Sequence, residues 1–437
     1  MKTILLFGAG KSATVLIDYF ISEARTNDWK LIVADANKQQ IISKTNKAAC
    51  SEAVEMDINS ADQRRALIEH ADIVISMMPP ALHFLIARDS LSFGKDLLTA
   101  SYLDEQTRSL SEEIKEKQLI FLYEMGLDPG IDHMSAMKII HEIREKGGKI
   151  ISFKSHCGGL IAPESDNNPW HYKISWNPRN IVLAGKAGAQ YKQDGQLMKE
   201  TYSELFKEQR QVFVNEETNY LSWYPNRDSL GYIGLYGLQN TSTFLRTTLR
   251  HPDFMHGWNH IVNLRLTDEA PLYDSNGMSL ALFFKQHFAK HNFRYNKQDD
   301  LLLSDQLLFL GLEDEETTIN NGLCSAADVL QFAMEKKLSL FPDDKDMIIM
   351  LHEFEYELNE KLYRKRSILQ VKGEDSVWTA MATTVGLPLG IAAKLILNGT
   401  IQHKGLLIPT TKEIYNPVLK ELQQHGISFK EDEQQLT

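Results

Sequence analysis

The first twenty residues constrain the fold more tightly than any other stretch. Thr3–Phe7 is a short apolar run, Gly8-Ala9-Gly10-Lys11-Ser12-Ala13 follows directly, and Ala13, Leu16, Ile17 and Phe20 then recur at helical spacing. Strand, glycine turn and helix in that order predict a dinucleotide-binding crossover. Gly8 permits the tight turn, Gly10 lets the backbone approach a pyrophosphate at the positive end of the helix, and Ala13 is small enough for close helix–sheet packing. The glycine pattern alone is weak evidence. Here it comes with its strand, its helix and an acid, Asp35, just after the next apolar run, Leu31–Ala34.

Further apolar runs at Ile73–Ile75, Leu97–Ala100 and Leu119–Tyr123 alternate with amphipathic segments such as Ala81–Ser92 and Glu105–Lys117. Wholly apolar strands separated by helices predict a parallel sheet buried on both faces: an α/β, Rossmann-like, doubly wound domain. The middle of the chain reads differently. Ile150–His156, Asn219–Tyr224 and Thr241–Leu249 are rich in β-branched and aromatic residues, and helical patterns follow at Ser279–Ala289, Ala326–Lys337 and Asp346–Leu362. A second, α+β domain is expected there. Asp343-Asp344-Lys345-Asp346 reads as a loop and helix N-cap, and a helical tail from Thr379 leads to a last amphipathic helix near Pro417–His425.

A chain of 437 residues has room for two or three domains of roughly 150 residues each. Its net charge of -11, from 47 basic and 58 acidic residues, argues against unspecific binding to nucleic acid or an anionic membrane. No uninterrupted apolar run nears the ~18 residues of a membrane span. Three cysteines, Cys50, Cys157 and Cys324, and no signal-peptide pattern suit a reducing, cytoplasmic setting. Any anionic ligand must therefore meet locally gathered arginines.

Asp35 bears on the choice of nucleotide. A carboxylate there accepts from the adenosine ribose hydroxyls of NAD, where NADP carries a phosphate. Two like charges ~4 Å apart at an effective dielectric near 20 repel by about 4 kcal/mol, more than nearby Lys38 offsets. The cofactor is expected to be NAD or NADP, with Asp35 favouring NAD. Asp57, just after the Ala53–Met56 run, is placed to contact the adenine.

Ser101-Tyr102 follows the fifth strand, and Glu124-Met125-Gly126-Leu127-Asp128-Pro129-Gly130-Ile131-Asp132-His133 leaves the sixth. Both lie at carboxyl ends of parallel strands, where such sheets take ligands. The second stretch, from Gly126 to His133, resembles the corresponding loop of saccharopine dehydrogenases of the glutamate-forming kind, also called saccharopine reductases. The resemblance extends, in the family's order, through Cys157-Gly158-Gly159-Leu160, Tyr224-Pro225-Asn226-Arg227-Asp228-Ser229, Thr248-Leu249-Arg250, Thr384-Val385-Gly386-Leu387-Pro388 and the tail Gly405…Ile408-Pro409.

That resemblance implies oxidation of saccharopine with a nicotinamide cofactor and water to glutamate and α-aminoadipate semialdehyde, or the reverse condensation used in lysine biosynthesis. It implies a nucleotide domain over 1–128, a substrate-binding domain with a helical lid over 129–378, and a segment over 379–437 returning to the first domain. A homodimer is expected. Residue by residue, it places Ala9, Gly10, Lys11 and Ser12 on the cofactor, beside Gly8 of the glycine turn, with Asp35, Ala36 and Asn37 at the ribose, and Asp57 and Ile58 at the adenine. Ser101, Tyr102, Leu127 and Asp128 would line the junction of nicotinamide and substrate, with Asn177 on the cofactor side of the second domain. Arg227, Thr248, Leu249 and Arg250 would hold saccharopine. One departure stands out: NADP-linked fungal members carry a small residue, Arg and Thr where this chain has Asp35-Ala36-Asn37.

The chemistry of that substrate fits these residue types. Three carboxylates in a protein of net charge -11 call for guanidinium forks; Arg227 and Arg250 meet the need, with Arg246 as a third candidate. The secondary amine must lose a proton before hydride leaves the adjacent carbon, and each later step moves a proton through a positioned group. Asp128, Tyr102 and Cys157 are the candidates. Asp128 precedes Pro129, which biases it toward extended backbone. Cys157 also reads as an inert buried thiol, and His133 as a structural histidine.

No metal is expected. His256 and His260 form an i, i+4 pair next to His251, a possible zinc arrangement on a helix. Pro252 and Gly257 speak against a regular helix, and no glutamate lies between the pair. Two other functions stay open at this point. A relative of carboxynorspermidine dehydrogenase or homospermidine synthase would line its site with acids for a polyamine. An NAD(H)-sensing binding protein would bind nucleotide without turnover.

Overall fold

The computed structural model describes residues 1–207, 210–294 and 296–436. The chain divides into two compact units, Met1–Gly148 with Val377–Lys430, and Lys149–Ser376 with Glu431–Thr437.

The first unit is built on parallel strands β1 (Thr3–Phe7), β2 (Lys30–Asp35), β3 (Ser51–Glu55), β4 (Ile73–Ser76), β5 (Asp96–Thr99), β6 (Ile120–Leu122) and, from far along the chain, β17 (Gly405–Leu407). Their order is β17-β6-β5-β4-β1-β2-β3. The winding therefore reverses between β1 and β4, and the carboxyl ends of that pair flank the crevice where open sheets bind ligands. Ile4–Phe7 and Ile73–Ile75 are fully buried, as the wholly apolar runs require. The doubly wound sheet is as expected.

The helix Ile131–Glu145 packs against the helix Lys412–Gln424, with His141 Nδ1 2.7 Å from the Tyr415 hydroxyl. It therefore belongs to the first unit, and the break expected at 128 falls at 148. The helix Ala380–Leu397, capped by Thr379, is the one among the described residues long and apolar enough to cross a membrane, but most of it is buried against this unit's own helices.

The second unit holds a mixed sheet of β7 (Lys149–Ile161), β8 (Ala189–Gln193), β9 (Gln196–Glu200), β10 (Gln211–Asn215), β11 (Asn219–Pro225), β12 (Thr243–Arg250), β15 (Asp346–Leu358), β16 (Lys361–Lys372) and β18 (Lys430–Gln435). A ribbon of β13 (Pro271–Asp274) and β14 (Leu323–Ser325) stands apart. The main order is β10-β11-β12-β7-β15-β16-β18. β12 runs parallel to β7, while β11 and β15 are antiparallel to their neighbours. An aromatic core of Trp170, Tyr172, Phe254, Trp258, Phe283 and Phe284 gathers the helices Pro252–Asn263, Leu280–Lys290, Leu301–Phe309 and Ala326–Lys337.

Two expectations fail here. Asp346–Leu362 is not a helix but β15, its turn and the start of β16, joined by a two-residue turn at Asn359-Glu360 in which both residues have positive φ (51° and 62°). His352, Phe354, Tyr356 and Leu358 alternate with Glu353, Glu355 and Glu357, a period-2 pattern that outweighs the helical spacing. Asp344 is accordingly no helix cap: it accepts from Lys173 Nζ and the Phe341 N–H, both at 2.6 Å. The segment around the three histidines is, in contrast, a regular helix from Pro252 to Asn263, because Pro252 occupies its first turn, where no N–H is missed.

Candidate functional site

At the end of β1 the helix start leaves the N–H groups of Gly10, Lys11 and Ser12 without intrahelical acceptors. A Cβ added at Gly10 would meet nothing within 4 Å, so this edge of the loop is open to a ligand. The residues fit a dinucleotide pyrophosphate. Asp35 braces the loop from below: its Oδ2 accepts the Ala9 N–H at 2.7 Å and its Oδ1 the Asn37 N–H at 3.0 Å. Asn37 in turn caps the helix Lys38–Thr45 by accepting from Gln40 N–H. Lys44, on that helix, donates from Nζ to the Gly10 carbonyl. Burial pushes its ammonium down to about 8, against the opposing pull of Asp35. Ala36 and Asn37 are exposed, Asp57 turns on itself to accept from Asn59 N–H at 2.9 Å, and Ile58 is buried.

A second constellation sits at the ends of β4, β5 and β6. The Tyr102 hydroxyl lies 3.3 Å from Asp128 Oδ1. The loop that carries Asp128 is closed by Gly126 N–H to Pro129 carbonyl and by Ile131 N–H and Asp132 N–H back to Gly126 and Leu127. Gly130, at φ +146°, is required: a Cβ there would stand 2.0 Å from the Gly126 carbonyl oxygen. Behind the loop, buried Glu124 accepts from the Leu103 N–H at 3.1 Å and holds His133 Nε2 at 2.8 Å. His133 is wholly buried, the structural histidine of the sequence reading. Leu127, next to Asp128 in the chain, is buried.

His83 was not anticipated. It lies between two hydroxyls, with Nδ1 2.7 Å from Ser76 Oγ and Nε2 2.7 Å from Ser101 Oγ. Burial pushes it down to about 4, so the ring is neutral and orients Ser101. Its sequence signal was weak: a single histidine after Met77-Met78-Pro79-Pro80.

In the second unit β12 pairs Thr248 with Cys157 on β7 and with Tyr224 on β11. Strand alternation puts Arg246, Thr248 and Arg250 on one face. Both arginines are nearly fully buried, at 3% and 5% exposure. Arg250 lies 5.4 Å from the Tyr172 ring centroid and 5.6 Å from that of Phe254, and Nη1 donates to the Leu249 carbonyl. Its Nε has no acceptor, and no carboxylate of the described residues pairs with it. Leu249 points to the other face, into the cluster of Leu160, Val214 and Ile349, which leaves only its backbone for a ligand. Arg227 is exposed, on a left-handed turn residue (φ 53°) whose carbonyl accepts from Gln190 N–H. Asn177 spends its side chain capping the short helix Pro178–Val182.

A glycine loop at the switch point of a doubly wound sheet, with acid and hydroxyl groups at the neighbouring strand ends, defines a nicotinamide-nucleotide oxidoreductase. Residues 4–122 match the saccharopine dehydrogenase NADP binding domain, and residues 126–427 the saccharopine dehydrogenase C-terminal domain. The chain belongs to the saccharopine dehydrogenase family. It is 32% identical to saccharopine dehydrogenase [NADP(+), L-glutamate-forming] of Saccharomyces cerevisiae over 98% of this chain and 99% of that one. It is also 32% identical to alpha-aminoadipic semialdehyde synthase of Arabidopsis thaliana, of whose length it spans 44%. The solved apo saccharopine dehydrogenase (L-Glu forming) of Saccharomyces cerevisiae superposes with a TM-score of 0.88 at 29% identity, covering 99% of this chain and 100% of that one. A homospermidine synthase from Legionella pneumophila, at TM-score 0.56 and 10% identity over 98% of this chain and 91% of that one, shares the fold alone. The NADP in the family and relatives' names does not support the preference for NAD read from Asp35.

Proposed function

We propose that this protein oxidises saccharopine, with NADP and water, to glutamate and α-aminoadipate semialdehyde, or runs the reverse condensation. The observation that carries the substrate class is Arg250: a buried guanidinium, always charged, with aromatic walls and no carboxylate partner among the described residues. An uncompensated buried cation is costly, and a substrate carboxylate removes that cost. Polyamines, which are cations, would add to it. Arg246 lies on the same strand face, against the Tyr232 ring.

When bound, the nicotinamide supplies the hydride acceptor. The chain's own residues supply the rest. Asp128, hydrogen-bonded to Tyr102, takes the proton of the secondary amine, and Tyr102 donates to the oxygen that water adds at the resulting imine carbon. Loss of the carbinolamine hydroxyl proton and protonation of the departing nitrogen release glutamate. Ser101, held by neutral His83, orients the ligand at the strand end.

For the nucleotide, support for NADP comes from Lys44 and from the names of the relatives. Asp35 is engaged with the loop backbone, and the Lys44 ammonium beside it supplies positive charge for a 2′-phosphate. Product analysis tests the reading: with L-saccharopine and NADP, glutamate should form one-for-one with reduced cofactor. Turnover of a polyamine conjugate and none of saccharopine would overturn it.

A further inference from the structure

The second unit carries a side-chain cluster that the reaction does not use. His256 and His260 stand one turn apart on the helix Pro252–Asn263, with ring centroids 5.0 Å apart. Asp300 is the N-cap of the helix Leu301–Phe309. Its Oδ1 accepts the Leu303 N–H at 3.0 Å, which fixes the carboxylate, and its Oδ2 lies 2.7 Å from His256 Nε2 and 3.6 Å from His260 Nε2. All three ligand atoms lie within 4.8 Å of one another. Metal–ligand bonds of ~2.0–2.2 Å in tetrahedral geometry set neighbouring ligand atoms ~3.4 Å apart, within the range seen here. A plain ion pair would need only one imidazole on that oxygen.

The cluster rests on a rigid junction. Gln306 Nε2 donates to the Pro169 and Asp253 carbonyls at 2.9 and 2.8 Å, and Trp170 Nε1 donates to the Gln306 carbonyl at 3.0 Å. Gly257 faces the same junction: a Cβ there would sit 2.3 Å from Gln306 Oε1 and 2.7 Å from Trp170 Cζ3. The glycine that argued against a helix is what lets the two helices meet. Asp300, forty residues beyond the pair, supplies the ligand that the sequence between the two histidines lacks. The side chains are about a third exposed (28%, 35% and 28%), so an ion can enter and water can complete its shell.

We propose that His256, His260 and Asp300 form a site for one divalent transition metal of the zinc class, which staples the helices Pro252–Asn263 and Leu301–Phe309. Two imidazoles and a carboxylate select zinc, cobalt, nickel or copper over magnesium or calcium. A neighbouring group, His171, His251 and Asp253, is less apt, since His251 Nδ1 accepts the Asp253 N–H and His171 Nδ1 lies 2.6 Å from Asp166.

The test uses untagged full-length protein stripped with chelator and titrated with Co2+, read by its visible absorption bands and by displacement with Zn2+. One Co2+ per chain is expected, and zinc should raise the melting temperature. His260→Gln should weaken binding by at least about 10–100-fold, the loss that outer-shell partners alone cause. Asp300→Asn should do likewise while keeping the N-cap, and an unchanged circular dichroism spectrum would show that it folds. Equal Co2+ stoichiometry and affinity after the double substitution His256→Gln, His260→Gln would assign the ion to the His171 group and overturn the proposal, as would the absence of saturable binding to the parent chain.

Discussion

In the first unit the nucleotide cradle is made of backbone: three N–H groups at a helix start, braced by Asp35 and approached by Lys44. In the second, the proposed ligand face is made of side chains, with Arg246, Thr248 and Arg250 on β12 beside Cys157 on β7 and Tyr224 on β11. The N–H groups of the first site, though not Asp35 and Lys44 that flank them, are written in a dozen consecutive residues. The second depends on strand register between segments some ninety residues apart. A backbone cradle tolerates many substitutions but is local; a side-chain face is specific to its ligand, and each member matters.

Four predictions test this division. The largest effect belongs to the reacting centre. Asp128→Asn should lower kcat by about 100-fold or more, as loss of a general acid–base group does, with nucleotide affinity unchanged; a normal kcat and pH profile would remove Asp128 from proton transfer. Next, Arg250→Met should raise the KM for saccharopine by about 10–100-fold, the worth of one or more charge-assisted hydrogen bonds, while the nucleotide KM stays put. Because a buried, uncompensated cation has been removed, denaturant unfolding should show no loss of stability. A fall in both affinities would break the comparison.

On the nucleotide side, Lys44→Gln should weaken NADP by about tenfold, the lower end of a charge-assisted contact, and leave NAD unaffected. Lys44 sits at about 8 in the free protein, so binding needs it charged: NADP affinity should fall as pH rises through 8, and NAD affinity should stay flat. The smallest effect comes from His83. Its folded value of about 4 lies below the ordinary ~6.5, so the unfolded chain binds more protons between the two and stability falls as pH drops through that window. At pH 5.5 the loss should be about 1.4 kcal/mol, and His83→Gln should abolish it in denaturant titrations.

The parallel sheet was readable from sequence because strands buried on both faces are uniformly apolar, and the cradle because its glycines come with their strand, their helix and Asp35. The family motifs named Arg250 and Asp128, but not what surrounds them. That Leu249 faces the core and Asn177 serves as a cap depends on strand phase and helix ends. β15 is ambiguous in sequence because its five-residue apolar run, Met347–Leu351, fits either period, and only the alternation after it marks a strand. His83, Lys44 and Asp300 stayed out of view because each acts across a tertiary contact that no local spacing records.

The most direct measurement is the absorbance of reduced nicotinamide when the purified protein meets L-saccharopine with NADP and, in parallel, with NAD. We expect saccharopine-dependent reduction, faster with NADP. A folded protein that binds nucleotide and reduces neither cofactor would contradict it.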